Sequence, residues 1–381
     1  MKRIIYLCEP THGHIDYGGV LELLSFLNKK YKVSVYSGSL LKKSIRKSNL
    51  QFFDIGLTNI KPSNMALNVV DNIFYHIENY FFSDNVIKAI ARTCKRINQE
   101  GCDLIISDPY CHVAPVVSQV NSIPFISVVS PPRNVSRDFL QRLYPIITSF
   151  KKKIYAQYGI SELYLNKFYP VTHASPSCRI NFSIKEFNIT KKCDSVYLGG
   201  EKIESVQYIK RDGIHVYYSS GTLFWHPQQI ELILNLAKNN PDIHFHISIA
   251  KGLFTFNKLP NVIIYDFVDQ KKLFPDMDLI ITQGGMGTVN EAIRAGIPIL
   301  DIPVFFGNYA QGEEIQAFGN GIFLRTLDEQ KELLEKSFIE LLENNFYRER
   351  AKKLQQMFHN VYDVHKILAV LKKKENLVSR K

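Results

Sequence analysis

The sequence predicts two α/β domains, each a doubly wound parallel sheet. Three observations carry this reading: the length, a strand–loop–helix–strand opening, and a second-half segment that repeats the order of a first-half one. At 381 residues the chain exceeds what one hydrophobic core usually serves. Arg3 to Cys8 is a short apolar strand that runs into the polar loop Pro10-Thr11-His12-Gly13-His14. Val20, Leu23, Leu24 and Leu27 then recur at helical spacing, and Lys32 to Ser37 alternates as a second strand. Further on, Asp103-Leu104-Ile105-Ile106-Ser107 is an apolar parallel strand that enters Asp108-Pro109, and after a helix Ile123-Pro124 opens the strand Phe125 to Val129.

The second half repeats that order. Asp278-Leu279-Ile280-Ile281-Thr282 leads into Gln283 and a glycine cluster, a helix follows, and Ile297-Pro298 opens the strand Ile299 to Ile302. Asp103 to Pro124 is 21 positions and Asp278 to Pro298 is 20. The expected division is residues 1–205, an acceptor-binding Rossmann-like domain; 206–355, a nucleotide-sugar-binding one; and 356–381, a helix and basic tail packing back on the first domain. Gly199-Gly200 and the charged residues up to Asp212 mark the join, before a fresh strand from Ile214 to Ser219. The stretch 133–175 is aromatic and basic (Phe139, Tyr144, Phe150, Lys151 to Lys153, Tyr155, Tyr158) and reads first as amphipathic helix with an aromatic core face. The alternative is a substrate-facing excursion that touches a membrane.

Composition narrows the function classes. Apolar residues are 45% and charged residues 22%, which excludes a mostly disordered chain. No apolar run approaches the roughly 18 to 20 residues that cross a bilayer, and the short apolar stretch after Lys2-Arg3 does not read as a signal peptide. The expected location is cytoplasmic. Six scattered cysteines with no C-x-x-C are expected to be reduced thiols. The excess of 47 Lys+Arg over 36 Asp+Glu favours an anionic partner, but the basic residues are spread out and carry no nucleic-acid recognition motif.

Gln283-Gly284-Gly285-Met286-Gly287-Thr288 is the sharpest local signal. Glycines there admit close approach of an anion, and a helix start aims free N–H groups and a positive dipole end at it. The run is neither the dinucleotide pattern nor a P-loop. Thr288 and Glu291 also match a helix capping box, so Glu291 reads either as a cap or as a carboxylate for ribose hydroxyls. Ser219-Ser220-Gly221-Thr222 is a second turn suited to phosphate oxygens. In the first domain, His14 and Asp108 end parallel strands whose loops converge, the arrangement in which a carboxylate orients a histidine base. Asp276-Met277-Asp278 has the form of a D-x-D metal motif but leads into a buried strand, and no metal is expected.

Taken together these residues resemble the GT-B-fold glycosyltransferases, in particular the family of natural-product and glucuronosyl transferases. The resemblance runs almost throughout residues 214 to 325. Val216 to Thr222 is similar to the family's opening strand and phosphate turn, and Phe267-Val268-Asp269-Gln270 to its W-x-P-Q base segment. Thr282 through Pro303 is similar to H-x-G-x-x-[ST]-x-x-E-A…G-x-P…P, and Gly13-His14 to the G-H-x-x-P loop. The resemblance implies two Rossmann-like domains facing each other across a cleft. It also implies an inverting transfer of a sugar from a UDP- or dTDP-sugar to a hydroxyl of a small, natural-product-like acceptor, with no metal or cofactor. His14 is then the implied base and Asp108 its partner. Thr222, Gly287 and Thr288 would contact the pyrophosphate, Glu291 the ribose, and Val268 and Gln270 the base, with Phe267, Gln283 and Gly285 in the same donor site. The family's acid–glutamine pair for the sugar is Gly307-Asn308 here, which leaves Asn308, Gln311 and Glu313 to serve instead. The segment Phe305 to Gly312 is faintly similar to that of glycolipid-forming transferases. With the basic aromatic stretch, it keeps a lipid acceptor and contact with an anionic membrane open, beside a catalytically silent binding role.

Overall fold

The computed structural model describes residues 1–11, 15, 19–59, 74–108, 110–128, 137–160, 179–181, 195–200, 212–221, 226–249, 258–304, 308–361, 363 and 365–371. Among them are two all-parallel sheets. The first contains β1 (Arg3–Leu7), β2 (Lys32–Ser37), β3 (Gln51–Asp54), β4 (Leu104–Ser107), β5 (Phe125–Val128), β6 (Arg179–Asn181) and β7 (Ser195–Tyr197), in the order β3-β2-β1-β4-β5-β6-β7. The second contains β8 (Ile214–Ser219), β9 (Ile243–Ser248), β10 (Val262–Tyr265), β11 (Leu279–Thr282), β12 (Ile299–Asp301) and β13 (Gly321–Phe323), in the order β10-β9-β8-β11-β12-β13.

Both orders reverse direction once, between β1 and β4 and between β8 and β11. At such a reversal the connecting helices leave to opposite faces and the strands' carboxyl ends open a crevice. Register fixes what lies there: Leu7 pairs with Ser107, and Thr282 with Ser219. The first crevice is therefore edged by the residues after Leu7 and Ser107, and the second by those after Ser219 and Thr282.

Helices cover both faces because their apolar residues fall at three- and four-residue spacing. In the first domain these are α1 (Val20–Asn28), α2 (Lys42–Lys47), α3 (Asp84–Glu100), α4 (Val113–Val120) and α5 (Arg137–Tyr158). In α1, Val20, Leu23, Leu24 and Leu27 are buried; in α3, Val86, Ala89, Ile90 and Ile97 are. Leu143, Ile147, Phe150 and Ile154 of α5 lie in the core, while Tyr144 and Tyr155 are exposed. The described part of the aromatic stretch is thus an amphipathic helix with a core face. No helix among the described residues is long and apolar enough to cross a membrane.

The second domain carries α6 (Pro227–Asn239), α7 (Gln270–Leu273), α8 (Met286–Ala295), α9 (Tyr309–Phe318), α10 (Leu327–Glu343) and α11 (Asn345–Val361). Helices α10 and α11 are separated by Asn344 alone, and α10 begins on a capped turn. Its start is a capping box: Thr326 Oγ1 accepts from Glu329 N at 3.1 Å while Glu329 reaches back to Thr326 N at 3.2 Å. Leu354 and Phe358 of α11 sit in the second domain's core, whereas Ile367 and Leu371 lie in that of the first. Asp363 N donates to Leu198 O at 3.3 Å, and Gly200 N to Phe358 O at 3.3 Å.

Candidate functional site

The crevice between β8 and β11 is built by buried amides. Gln283 follows β11 directly, and its Nε2 donates to Ser220 O at 2.6 Å and to Gln229 Oε1 at 3.2 Å. Gln229, on α6, passes the connection to Ile302 O at 2.5 Å and Gln330 Oε1 at 2.9 Å, and accepts from Tyr218 OH at 3.1 Å. Asn308 Nδ2 donates to Gln283 O at 2.7 Å. The loops after β8, β11 and β12 are thereby locked to one another. Gln283 has its Nε2 committed to this brace, so the side chain holds the crevice's walls rather than offering those hydrogens to a ligand.

Above the brace, α8 begins at Met286 with Gly285 as its N-cap. The helix starts three residues earlier than its apolar period suggests, which places Thr288 inside the first turn and removes the capping-box reading of Thr288 and Glu291. No side chain caps this start, so its first N–H groups point outward with the positive end of the helix dipole. Gly284 and Gly285 differ in kind. Gly284 has φ +73°, and an added Cβ would stand 2.9 Å from both carboxylate oxygens of Asp301. Gly285 has an ordinary φ of −60° and ψ of 124°, and a Cβ there would meet nothing within 4 Å. The fold requires the first glycine but not the second, which leaves open space at the helix start.

Around this space lie buried acceptors without donors. Gln270 Nε2 donates to Thr288 Oγ1 at 3.1 Å and Tyr217 OH at 3.2 Å, yet its Oε1 has no hydrogen bond. Glu291 is fully buried: one oxygen accepts from Arg294 Nη1 at 3.1 Å and the other accepts from nothing. Burial pushes the Glu291 carboxyl up, with Arg294 and Lys271 acting against it. Gln311 Oε1 is likewise buried and unbonded. Buried polar atoms are bonded as a rule, so a group of acceptors in this state suits a ligand rich in hydroxyl donors. Val268 is buried in the core and anchors the segment before α7, while Phe267 is 66% exposed. Thr222 lies outside the described residues.

The first crevice holds Asp108, buried at the end of β4. Its Oδ1 accepts from Tyr110 N at 2.8 Å, and its own N donates to Leu7 O at 2.9 Å. His12 and His14 lie outside the described residues. A second carboxyl, Glu9, is buried beside Asp108; burial first, then the Asp108 charge, pushes it well above the usual carboxylate range. Sequence reasoning missed Glu9, although an acidic residue closing an apolar strand was the available signal. Between the domains, Glu22 of α1 pairs with Lys271 and lies 3.9 Å from Arg294.

Asp278 serves the fold: its Oδ2 accepts from His215 N at 2.9 Å and its Oδ1 from Arg348 at 3.3 Å. Among the described residues no group of three or more His, Cys, Asp or Glu is placed to hold a metal ion. Among the described residues, Cys8, Cys94, Cys102 and Cys111 are in no disulfide.

Residues 232–360 match the family model described as erythromycin biosynthesis protein CIII-like, C-terminal domain. The two-domain architecture is GT-B. A glycotransferase of kitacinnamycin superposes with a TM-score of 0.73 at 15% identity, covering 98% of each chain. The spinosyn rhamnosyltransferase SpnG complexed with thymidine diphosphate gives 0.70 at 16%, covering 97% of this chain and all of that one (100%). Among curated proteins, the putative UDP-glucuronosyltransferase ugt-46 of Caenorhabditis elegans is 26% identical over 159 residues, 39% of this chain and 30% of the relative. The chain spans about a third of the length of the first curated relatives it matches. The matched segment contains α7, α8 and α9 with Gln270, Glu291 and Gln311, whereas β8 and Gln229 lie before it.

Proposed function

We propose that the chain is an inverting glycosyltransferase that moves a sugar from a UDP- or dTDP-sugar to a hydroxyl of a small acceptor. The observation that carries this is the β8–β11 crevice: an uncapped helix start with unclaimed space at Gly285, flanked by the unbonded oxygens of Gln270 and Glu291. A diphosphate fits the first, and ribose and base donors fit the second. Thr222, Gly287 and Thr288 take the pyrophosphate, Glu291 the ribose, Val268 and Gln270 the base. The relatives' names, among them UDP-glucuronosyltransferases and a rhamnosyltransferase holding thymidine diphosphate, support the donor class.

In the transfer, His14 removes the acceptor's proton as its oxygen attacks the anomeric carbon from the face opposite the leaving group. Asp108 orients the imidazole and stabilises its charged form. The α8 N-terminus stabilises the negative charge that grows on the departing nucleoside diphosphate.

Thermal unfolding with UDP, dTDP, GDP or ADP tests the donor site. A ligand at about a hundredfold over its Kd adds about 2.7 kcal/mol to the folded state. Selective stabilisation by UDP or dTDP is expected. No shift with any diphosphate at millimolar concentration would refute the donor site and favour a silent binding role.

A further inference from the structure

Asp301 ends β12, and the family resemblance gives it no role. It is fully buried, and neither carboxylate oxygen has a hydrogen-bond partner. Two glycines make the room it occupies. A Cβ on Gly284 would lie 2.9 Å from both its oxygens, and a Cβ on Gly312, in α9, would lie 2.6 Å from Oδ2. Burial pushes this carboxyl well above the usual carboxylate range.

Such a group is expensive for a fold. A buried polar atom without a bond is destabilising, and an apolar residue at this site would avoid it. An unsatisfied pair of oxygens in a native interior asks for a reason. Its position supplies one. Asp301 pairs in register with Thr282, at the ligand edge, one strand from the crevice. The position at Gly284 that approaches its oxygens is also 3.1 Å from Asn308 O. Gln311, one residue before Gly312, carries a buried, unbonded amide oxygen. Glu313, the other acidic candidate nearby, is instead paired with Arg325 at 2.8 Å. An acid and a glutamine, both with unbonded oxygens, thus adjoin Gly312 in the segment where the family's own acid–glutamine pair is missing.

We infer that Asp301, with Gln311, is the specificity-determining pair for the transferred sugar and accepts a hydrogen-bond donor, hydroxyl or ammonium, carried by that sugar. This rests on the donor-site reading above. A sugar hydroxyl offers this carboxyl a neutral donor, and an ammonium offers it a charged one.

The test compares binding of UDP and dTDP with that of their glucose and 4-amino-4,6-dideoxyglucose forms, for the full chain and for Asp301→Asn. Both proteins should bind the bare nucleotides equally. The gain in affinity from the sugar should fall about tenfold in the variant, equivalent to about 1.4 kcal/mol. A larger loss for the amino sugar than for glucose identifies an ammonium, and the reverse a hydroxyl. The melting temperature of Asp301→Asn should stay close to that of the unaltered chain, since an amide of the same shape replaces the buried carboxyl. Gln311→Ala, at a half-buried position, provides a second variant and should lose part of the same gain. Bare nucleotides that bind while the sugar's contribution is unchanged in both variants would overturn the assignment alone. Nucleotides that do not bind the unaltered chain overturn the donor site, and this pair with it.

Discussion

The two adjacent glycines at the start of α8 allow fold and ligand requirements to be separated by single methyl groups. Gly284→Ala places an L-residue at φ +73°, which costs about 1–2 kcal/mol for the backbone alone. Its Cβ would also stand 2.9 Å from the Asp301 oxygens and 3.1 Å from Asn308 O, so these must move. For a domain of this size each kcal/mol lowers Tm by about 2–4 °C, giving an expected loss of roughly 2–8 °C. Gly285→Ala meets neither obstacle, since φ is −60° and nothing lies within 4 Å. Its stability should stay within about 0.5 kcal/mol of the parent. The same methyl projects into the space at the helix start that a diphosphate is proposed to fill, so affinity for UDP or dTDP should fall about tenfold or more, a difference of about 1.4 kcal/mol. Thermal unfolding with and without nucleotide reads both quantities in one experiment. Gly285→Ala that melts like the parent and binds nucleotide like the parent would refute the phosphate role of this helix start. Equal Tm losses in the two variants would show that both glycines serve only the backbone.

Three further outcomes are expected. Tyr265 OH donates to His246 Nδ1 at 2.9 Å; His246 Nε2 then donates to His215 Nδ1 at 3.0 Å, because His215 Nε2 must donate to Asp212 O at 3.1 Å. Burial, then the neighbouring His215 and His244, lowers the His246 pKa to about 4, so the neutral chain's stability is present above about 6.5 and is lost as pH falls toward 4; Tm measured from pH 8 to 4 should show this, and a His246→Asn variant should flatten that part of the profile. Glu9 is held protonated by burial and by Asp108, so its contribution is present below its ordinary pKa and is lost as pH rises; Glu9→Gln should raise Tm at pH 8 and leave it unchanged at pH 4, and an unaltered Tm at pH 8 would contradict the buried-acid assignment. His14→Ala should abolish transfer while leaving UDP or dTDP affinity intact; a variant that keeps most of its turnover number would remove His14 as the base.

Much of the architecture was legible because strands buried on both faces must be apolar and must be followed by helices of the same chain. Asp103 to Val129 and Asp278 to Ile302 announced both sheets in this way. Helix starts were less legible: an apolar period marks the buried face of a helix, whereas the first turn of α8 is glycine and methionine with no apolar stripe. That shift of three residues decides between a capping and a ligand-facing Glu291. The bracing amides were invisible for a related reason. Gln229 and Gln330 read as polar surface positions, and only the folded chain shows them buried and bonded to each other. Asp301 was hidden by its neighbours, because a single carboxylate at the end of Ile299-Leu300-Asp301 looks like the strand's exit into solvent.

The contacts between the two domains show which interactions set their arrangement. Glu22 approaches Lys271 and Arg294 with about a third of its side chain exposed, as does Lys271. Ion pairs of that exposure contribute about 0–1 kcal/mol and weaken with salt. The C-terminal segment contributes more. Ile367 and Leu371 are buried in the first domain's core although the helix before them, α11, is anchored by Leu354 and Phe358 in the second. Full burial of each such side chain is worth about 1.5–3 kcal/mol. The chain therefore ties the domains mainly by an apolar strap that returns to its own beginning. The charged contacts are left free to govern finer matters, since Arg294 also holds one oxygen of Glu291 and so links the proposed ribose carboxylate to the helix that follows the His14 loop.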